Sequence, residues 1–136
     1  MTEVSWVNSP LGASDLPAEQ ARYVPKVLAR GLAADLYAVL WFSLADWAGA
    51  DYPYGLADLG LAPKPAQQAY RTAVAEFGQA RTVRPLLPQE LGVAGGVEGY
   101  VFDVAGQERW VVWATETAPI TVALPARALA ALDLQG

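Results

Sequence analysis

The sequence predicts an α/β unit followed by an all-β unit, and three observations lead there. Two helix-length amphipathic segments flank one nearly continuous apolar run, Leu36 to Leu44, as in a parallel strand covered on both faces. Beyond about Arg84 the texture changes to short β-prone runs punctuated by Gly and Pro. The chain is also 54% hydrophobic and 17% charged over 136 residues, a composition that buries a core rather than one that stays disordered.

In chain order, Val4 to Asp15 has the Asn, Ser, Pro and Gly content of a loop after a short β-prone start. Pro17 suits a first helical turn, and Ala18–Ala33 places Ala21, Val24, Val27, Leu28 and Gly31 on one stripe. Pro25 removes one donor inside that helix, so a kink is expected at its turn, and Asp35 ends the helix. The stretch from Ala45 to Pro63 exceeds an ordinary connection of about four to six residues, and long loops at strand ends often carry function. Pro65 opens a second helix that runs through Tyr70 and Val74 to about Phe77, where Gly78 stops it.

Pro85, Pro88, Gly92, Gly95 and Gly96 read as a linker or irregular strands. Tyr100–Val104, Arg109–Thr115 and Ile120–Leu124 then read as an antiparallel meander, with a turn at Ala105-Gly106-Gln107. Alternation puts Tyr100, Phe102 and Val104 on one face and Val101 and Asp103 on the other, the pattern of a half-exposed sheet. Trp110 and Trp113, three apart, point to opposite faces. Ala126 to Gly136 is ambiguous between helix and strand. Neither half covers its own sheet edges, so both look incomplete.

Charge and residue usage narrow the chemistry. A formal charge of −5 gives no electrostatic footprint for a phosphate backbone, so nucleic acid is not an expected partner. No apolar stretch is long enough to span a bilayer, Met1–Trp6 is not a signal sequence, and a membrane partner is not expected either. With no cysteine there is no disulfide or thiolate site, and with no histidine any acid-base chemistry must come from carboxylates, lysine or tyrosine. No phosphate-binding glycine loop, EF-hand or metal-ligand spacing is present, so neither cofactor nor metal is expected.

One constellation carries a resemblance. A strand ending Thr2-Glu3, a helix opening near Gln20-Ala21 and a buried strand ending Trp41-Phe42-Ser43-Leu44 come in that order. Tyr54-Gly55-Leu56-Ala57-Asp58 follows, then Pro63-Lys64-Pro65 and Ala69-Tyr70. Together these resemble the C-terminal part of clan A glycoside hydrolases, over about residues 1 to 77. The implied fold is α/β, a C-terminal fragment of a TIM (β/α)8 barrel followed by an antiparallel β-sheet, part of a β-sandwich. The implied domains are residues 1–80, the last strand-helix units of the barrel, and residues 81–136, the partial sandwich.

The resemblance implies a retaining glycoside hydrolase acting on oligosaccharide or polysaccharide. Glu3 would end the seventh barrel strand as catalytic nucleophile, whereas its own residues alone describe a solvated group beside a chain terminus. Trp41 would close the eighth strand. Trp6 and Trp41 are candidate sugar-stacking residues or ordinary core, and Asp46 is a candidate sugar contact or a loop cap. Trp47, Tyr52 and Tyr54 rim the cleft or pack the loop, while Asp58 and Lys64 suit bracing. The family's acid/base is the second residue of an Asn-Glu pair, and here the lone asparagine, Asn8, precedes Ser9. Six strands and the acid/base are therefore expected upstream of Met1, and the chain is expected to be inactive by itself. The alternative is a non-catalytic carbohydrate-binding or interaction module built on the β-segment, and a third reading is a small stand-alone α/β domain.

Overall fold

A computed structural model describes residues 2–4, 16–49, 53–126, 128 and 130–133. It contains helices mixed with a parallel strand pair and an antiparallel three-stranded sheet. Two compact units form: one includes the described residues up to Ala75 together with Asp133, the other Glu76–Leu132.

In the first unit, strand β1 (Thr2–Val4) is followed by helix α1 (Leu16–Ala33) and strand β2 (Val39–Trp41), which lies parallel to β1. The registers are Thr2 with Val39, Glu3 with Leu40 and Val4 with Trp41. A helix between two parallel neighbours is the crossover that parallel pairing requires. Helix α1 runs unbroken through Pro25 and buries Ala21, Val24, Leu28 and Ala29, so the apolar stripe acts as read, with Val27 only half-buried.

Its end is a Schellman turn: Leu36 N–H donates to Gly31 O at 3.1 Å and Asp35 N–H to Leu32 O at 3.0 Å. Asp35 takes the left-handed position at φ 54°, which a short polar side chain tolerates better than a branched one. Immediately beyond, Val39 packs against Gly31 so closely that a Cβ on Gly31 would sit 2.2 Å from Val39 Cγ2. This close approach fixes α1 on β2.

The apolar run after α1 forms far less strand than its length suggested. Only Val39–Trp41 pairs, and Leu40 and Leu44 are 42% and 72% exposed, so the expected double-sided cover is absent among the described residues. The chain needs Leu36 and its neighbours to leave the helix, and bends at Phe42 and Leu44 turn it into the loop. Apolar content marked the segment but not its extent, because a continuous run carries no periodicity that fixes strand ends.

Helix α2 (Pro65–Phe77) begins and ends as expected, but Ala66, Ala69, Ala73 and Phe77 form its buried stripe while Tyr70 is half-buried and Val74 exposed. In the second unit, β3 (Thr82–Pro85), β4 (Val97–Val104) and β5 (Gln107–Ala114) form the sheet in the order β3-β4-β5, all antiparallel. Strand β3 ends within the stretch read as a linker or irregular strands. Pro85 is compatible with it because it closes the strand, opposite Tyr100. The β4–β5 hairpin turns on Ala105 and Gly106, both at positive φ, the geometry of a two-residue turn whose twist matches the strands.

The run Ile120–Leu124, expected as a third meander strand, is not one. Ala123 N–H donates to Leu91 O at 2.8 Å and Val122 packs on the core of Leu86, Leu91 and Val101, so the segment is held by packing and one bond. Nor is β4 half-exposed at its centre. Val101 joins that core with Trp110 and Val112 against it, while on the other face Phe102 stacks on Phe77 at 4.7 Å. Trp113 meets Tyr100 at 5.9 Å, on the face opposite Trp110, as the spacing required.

A short 3-10 turn, Pro88–Leu91, caps the Leu86/Leu91 core. Glu90 holds it by accepting from Leu87 N–H at 2.9 Å and from both terminal nitrogens of Arg84 at 2.9 Å. The Arg84 pair first, then the Leu87 N–H, keeps the Glu90 carboxyl below its ordinary value. Folding therefore favours ionised Glu90, and the stability this gives is present at neutral pH and lost as pH falls below about 4.5 towards the depressed value.

Two outcomes follow for denaturant titrations. Gly31→Ala should lower the stability of the first unit by about 1–2 kcal/mol, because forced repacking against Val39 outweighs the gain in helix propensity. Glu90→Gln should flatten the acid limb, so that the second unit loses less stability than wild type between pH 6 and pH 3, with both measured by urea unfolding.

Candidate active site

The parallel pair sets the geometry. Strands that run the same way end on the same side, and ligands of α/β proteins bind outside the C-terminal ends of their strands. Glu3 and Trp41 both stand near that end, with Glu3 in register with Leu40 and Trp41 with Val4. Residues in register share a sheet face, and neighbours along a strand alternate. Position 3 therefore belongs to the face of Leu40, and Trp41 to the opposite face with Val39.

Contacts along α1 agree with this division. Val39 abuts Gly31, and the Trp41 ring meets Tyr23 edge-on at 6.1 Å. Trp41 Nε1 donates to the Tyr54 carbonyl at 3.2 Å. The register thus sets Trp41 on the side of α1, opposite the face of position 3. Phe42, the residue after β2, is 44% exposed, and the Phe42–Ser43 peptide bond is cis. Trp6 and Tyr52 lie outside the described residues.

The loop beyond Ser43 is built on backbone pairing and two acids. Leu56 N–H donates to Ser43 O at 3.2 Å, Ala57 N–H to Leu44 O at 3.0 Å and Asp46 N–H to Ala57 O at 3.0 Å, which folds the far arm of the loop back onto the near one. Asp58 Oδ1 accepts from Gly60 and Ala62 N–H at 2.8 and 2.9 Å. This is the bracing role read for it.

Asp46 is used within the loop. Its Oδ1 accepts from Gly55 N–H at 2.7 Å, and its Oδ2 lies 2.6 Å from Lys64 Nζ. The Lys64 contact falls outside hydrogen-bonding angles, so it is an ion pair rather than a directed bond. Both side chains are nearly buried, at 11% and 14% exposure. Asp46 therefore braces the loop through Gly55 and Lys64.

Gly55 fits only without a side chain, since a Cβ would fall 2.3 Å from Asp46 N and 2.6 Å from Ala57 O. On its other side stands Gln20 of α1, which is fully buried. Its Nε2 donates to the carbonyls of Tyr54 at 3.1 Å and Gly55 at 3.3 Å, while its buried Oε1 has no hydrogen-bond partner among the described residues. Sequence reasoning noted the Gln20-Ala21 pair but missed this role. The signal was available, because Gln20 lies four residues before Val24 and so falls on the apolar stripe.

An aromatic cluster completes the site. Trp47 and Tyr54 stack at 6.0 Å with planes 15° apart, and Phe42 meets Trp47 steeply at 5.5 Å. Among the described residues, no group of three or more acidic or metal-ligating side chains gathers to hold a metal ion, and no helix is long and apolar enough to cross a membrane.

Comparison with known proteins adds one likeness. No protein-family model matches the chain, and no curated protein matches it. Among solved structures it is similar to a family 39 glycoside hydrolase from the gut symbiont Bacteroides cellulosilyticus WH2, with a TM-score of 0.62 at 20% sequence identity. The match covers 85% of this chain and 23% of that one. The fold of this chain is thus that of a segment of a glycoside hydrolase, in agreement with the resemblance carried by the sequence.

The ion pair yields a stability test. Lys64→Met, which strands the Asp46 carboxylate, should cost about 3 kcal/mol in urea unfolding, and Asp46→Asn a similar amount. The double variant should recover part of that loss, the coupling expected of two charges that need each other.

Proposed function

We propose that this chain is a portion of a retaining glycoside hydrolase and that Glu3 is its nucleophile. The observation that carries the reading is the parallel register of β1 and β2. It sets position 3 beside Leu40, near the C-terminal ends of the two parallel strands. Support comes also from the shared fold with a family 39 glycoside hydrolase and from the β-α-β-α order, which repeats the unit of a (β/α)8 barrel. In this reading β1 and β2 are the last two barrel strands, and the antiparallel sheet belongs to a sandwich that follows the barrel, a division between residues 1–80 and 81–136.

The chemistry is a double displacement. The Glu3 carboxylate attacks the anomeric carbon as the glycosidic bond breaks, and a second carboxyl group protonates the departing oxygen. Water then releases the sugar from the covalent ester, with the second group acting as base. No Asn-Glu pair occurs in the 136 residues, so the acid/base is supplied from outside them. That agrees with a chain spanning less than a quarter of the solved hydrolase it matches. The substrate is an oligosaccharide or polysaccharide.

The reading frame upstream of Met1 tests this first: it should stay open for roughly 200 residues or more and encode a β-prone segment ending in Asn-Glu. In the protein expressed from that full frame, Glu3→Gln should reduce kcat on an aryl glycoside by at least about a thousandfold, as removal of a covalent catalyst does. A variant retaining most of its activity would exclude Glu3 as nucleophile.

A further inference from the structure

We infer that Trp47 and Tyr54 form a second carbohydrate subsite, a stacking platform for a glycosyl unit beyond the one attacked at Glu3. For the identity of its ligand this rests on the glycosidase reading.

The argument starts from what these two rings are attached to. The residue just before Trp47 is Asp46 and the residue just after Tyr54 is Gly55, and those two are bound to each other by the Oδ1–N–H bond at 2.7 Å. Asp46 is tied in addition to Lys64, and the contacts of Gly55 leave no space for a side chain. The Tyr54 carbonyl takes donors from both Trp41 and Gln20. Both backbone arms that present the rings are therefore clamped by nearly buried polar groups, and the two rings stack between them.

Such a clamp is unusual beneath a surface that stays open. Trp47 remains 43% exposed and Phe42 44%, although aromatic rings gain most by burial. A loop that leaves the Trp47 ring this open, with a buried ion pair and a buried amide fixing its backbone, has the rigid support that binding sites require. The placement is also suitable. The platform lies on the loop that follows β2, beyond the strand end near which position 3 stands, and Phe42 at that end packs against Trp47. Flat aromatic surface suits the C–H face of a sugar ring, and a preformed platform lowers the ordering cost of binding.

The test uses the protein expressed from its full reading frame. Its readout is the ratio of kcat/KM for a trisaccharide to that for an aryl monoglycoside, together with tryptophan-fluorescence titration by mono- to tetrasaccharides. Trp47→Ala should lower that ratio about tenfold and remove the gain in affinity with chain length, and Trp47→Phe should restore much of both. A ratio and a length dependence unchanged in Trp47→Ala overturn the subsite while leaving Glu3 in place. If the protein cleaves no glycoside yet binds longer sugars in a Trp47-dependent way, the subsite stands and the hydrolase reading falls. Absence of both cleavage and binding overturns the two together.

Discussion

The register of β1 on β2 is the constraint on which the first unit depends, because it decides which residues can act together. Pairing Glu3 with Leu40 places Val39 and Trp41 on the side of α1 and leaves Leu40 on the other. A slip of one residue would exchange the two sets. Gly31 enforces the arrangement, since only a residue without Cβ lets α1 approach Val39 as it does. The helix, in turn, reaches past the strand with Gln20 and holds the loop in which Trp47 and Tyr54 sit. From strand register to exposed ring pair, each step is a contact between residues distant in sequence.

That dependence explains what was legible beforehand. Helices α1 and α2 were readable because the 3.6-residue period and the flanking Pro residues are local signals. The β4–β5 hairpin was readable from Ala105-Gly106 and the flanking β-prone runs. Strand β2 was found but drawn too long, for an apolar run says that a segment is drawn to a core without saying where pairing stops. The Ile120–Leu124 run has the composition of a strand and pairs with no strand among the described residues, while β3, with a Pro at its end, has a partner and little of the composition.

The site divides in the same way. Its acidic residues could be picked out, because with no histidine or cysteine in the chain the candidates were few. Their roles could not be separated without partners: Asp46 is a brace because Lys64 and Gly55 meet it, and nothing in the local sequence says so. Trp41 shows the limit most clearly. A tryptophan at a strand end invites a ligand role, yet which side of the strand it takes is set by the register, and Trp41 lies on the side of α1. The buried polar contacts of Gln20, Asp46 and Lys64 also make this unit sensitive to single changes, since each leaves another polar group behind without its partner.

The central claim is that position 3 carries the nucleophile of a retaining hydrolase. It is tested most directly by covalent trapping: the protein from the full reading frame is incubated with a 2-deoxy-2-fluoro glycosyl fluoride, digested, and mapped by mass spectrometry. The account predicts one sugar ester per molecule, located on Glu3 and absent from Glu3→Gln. A label on another carboxylate, in an enzyme that turns over its substrate, would contradict it.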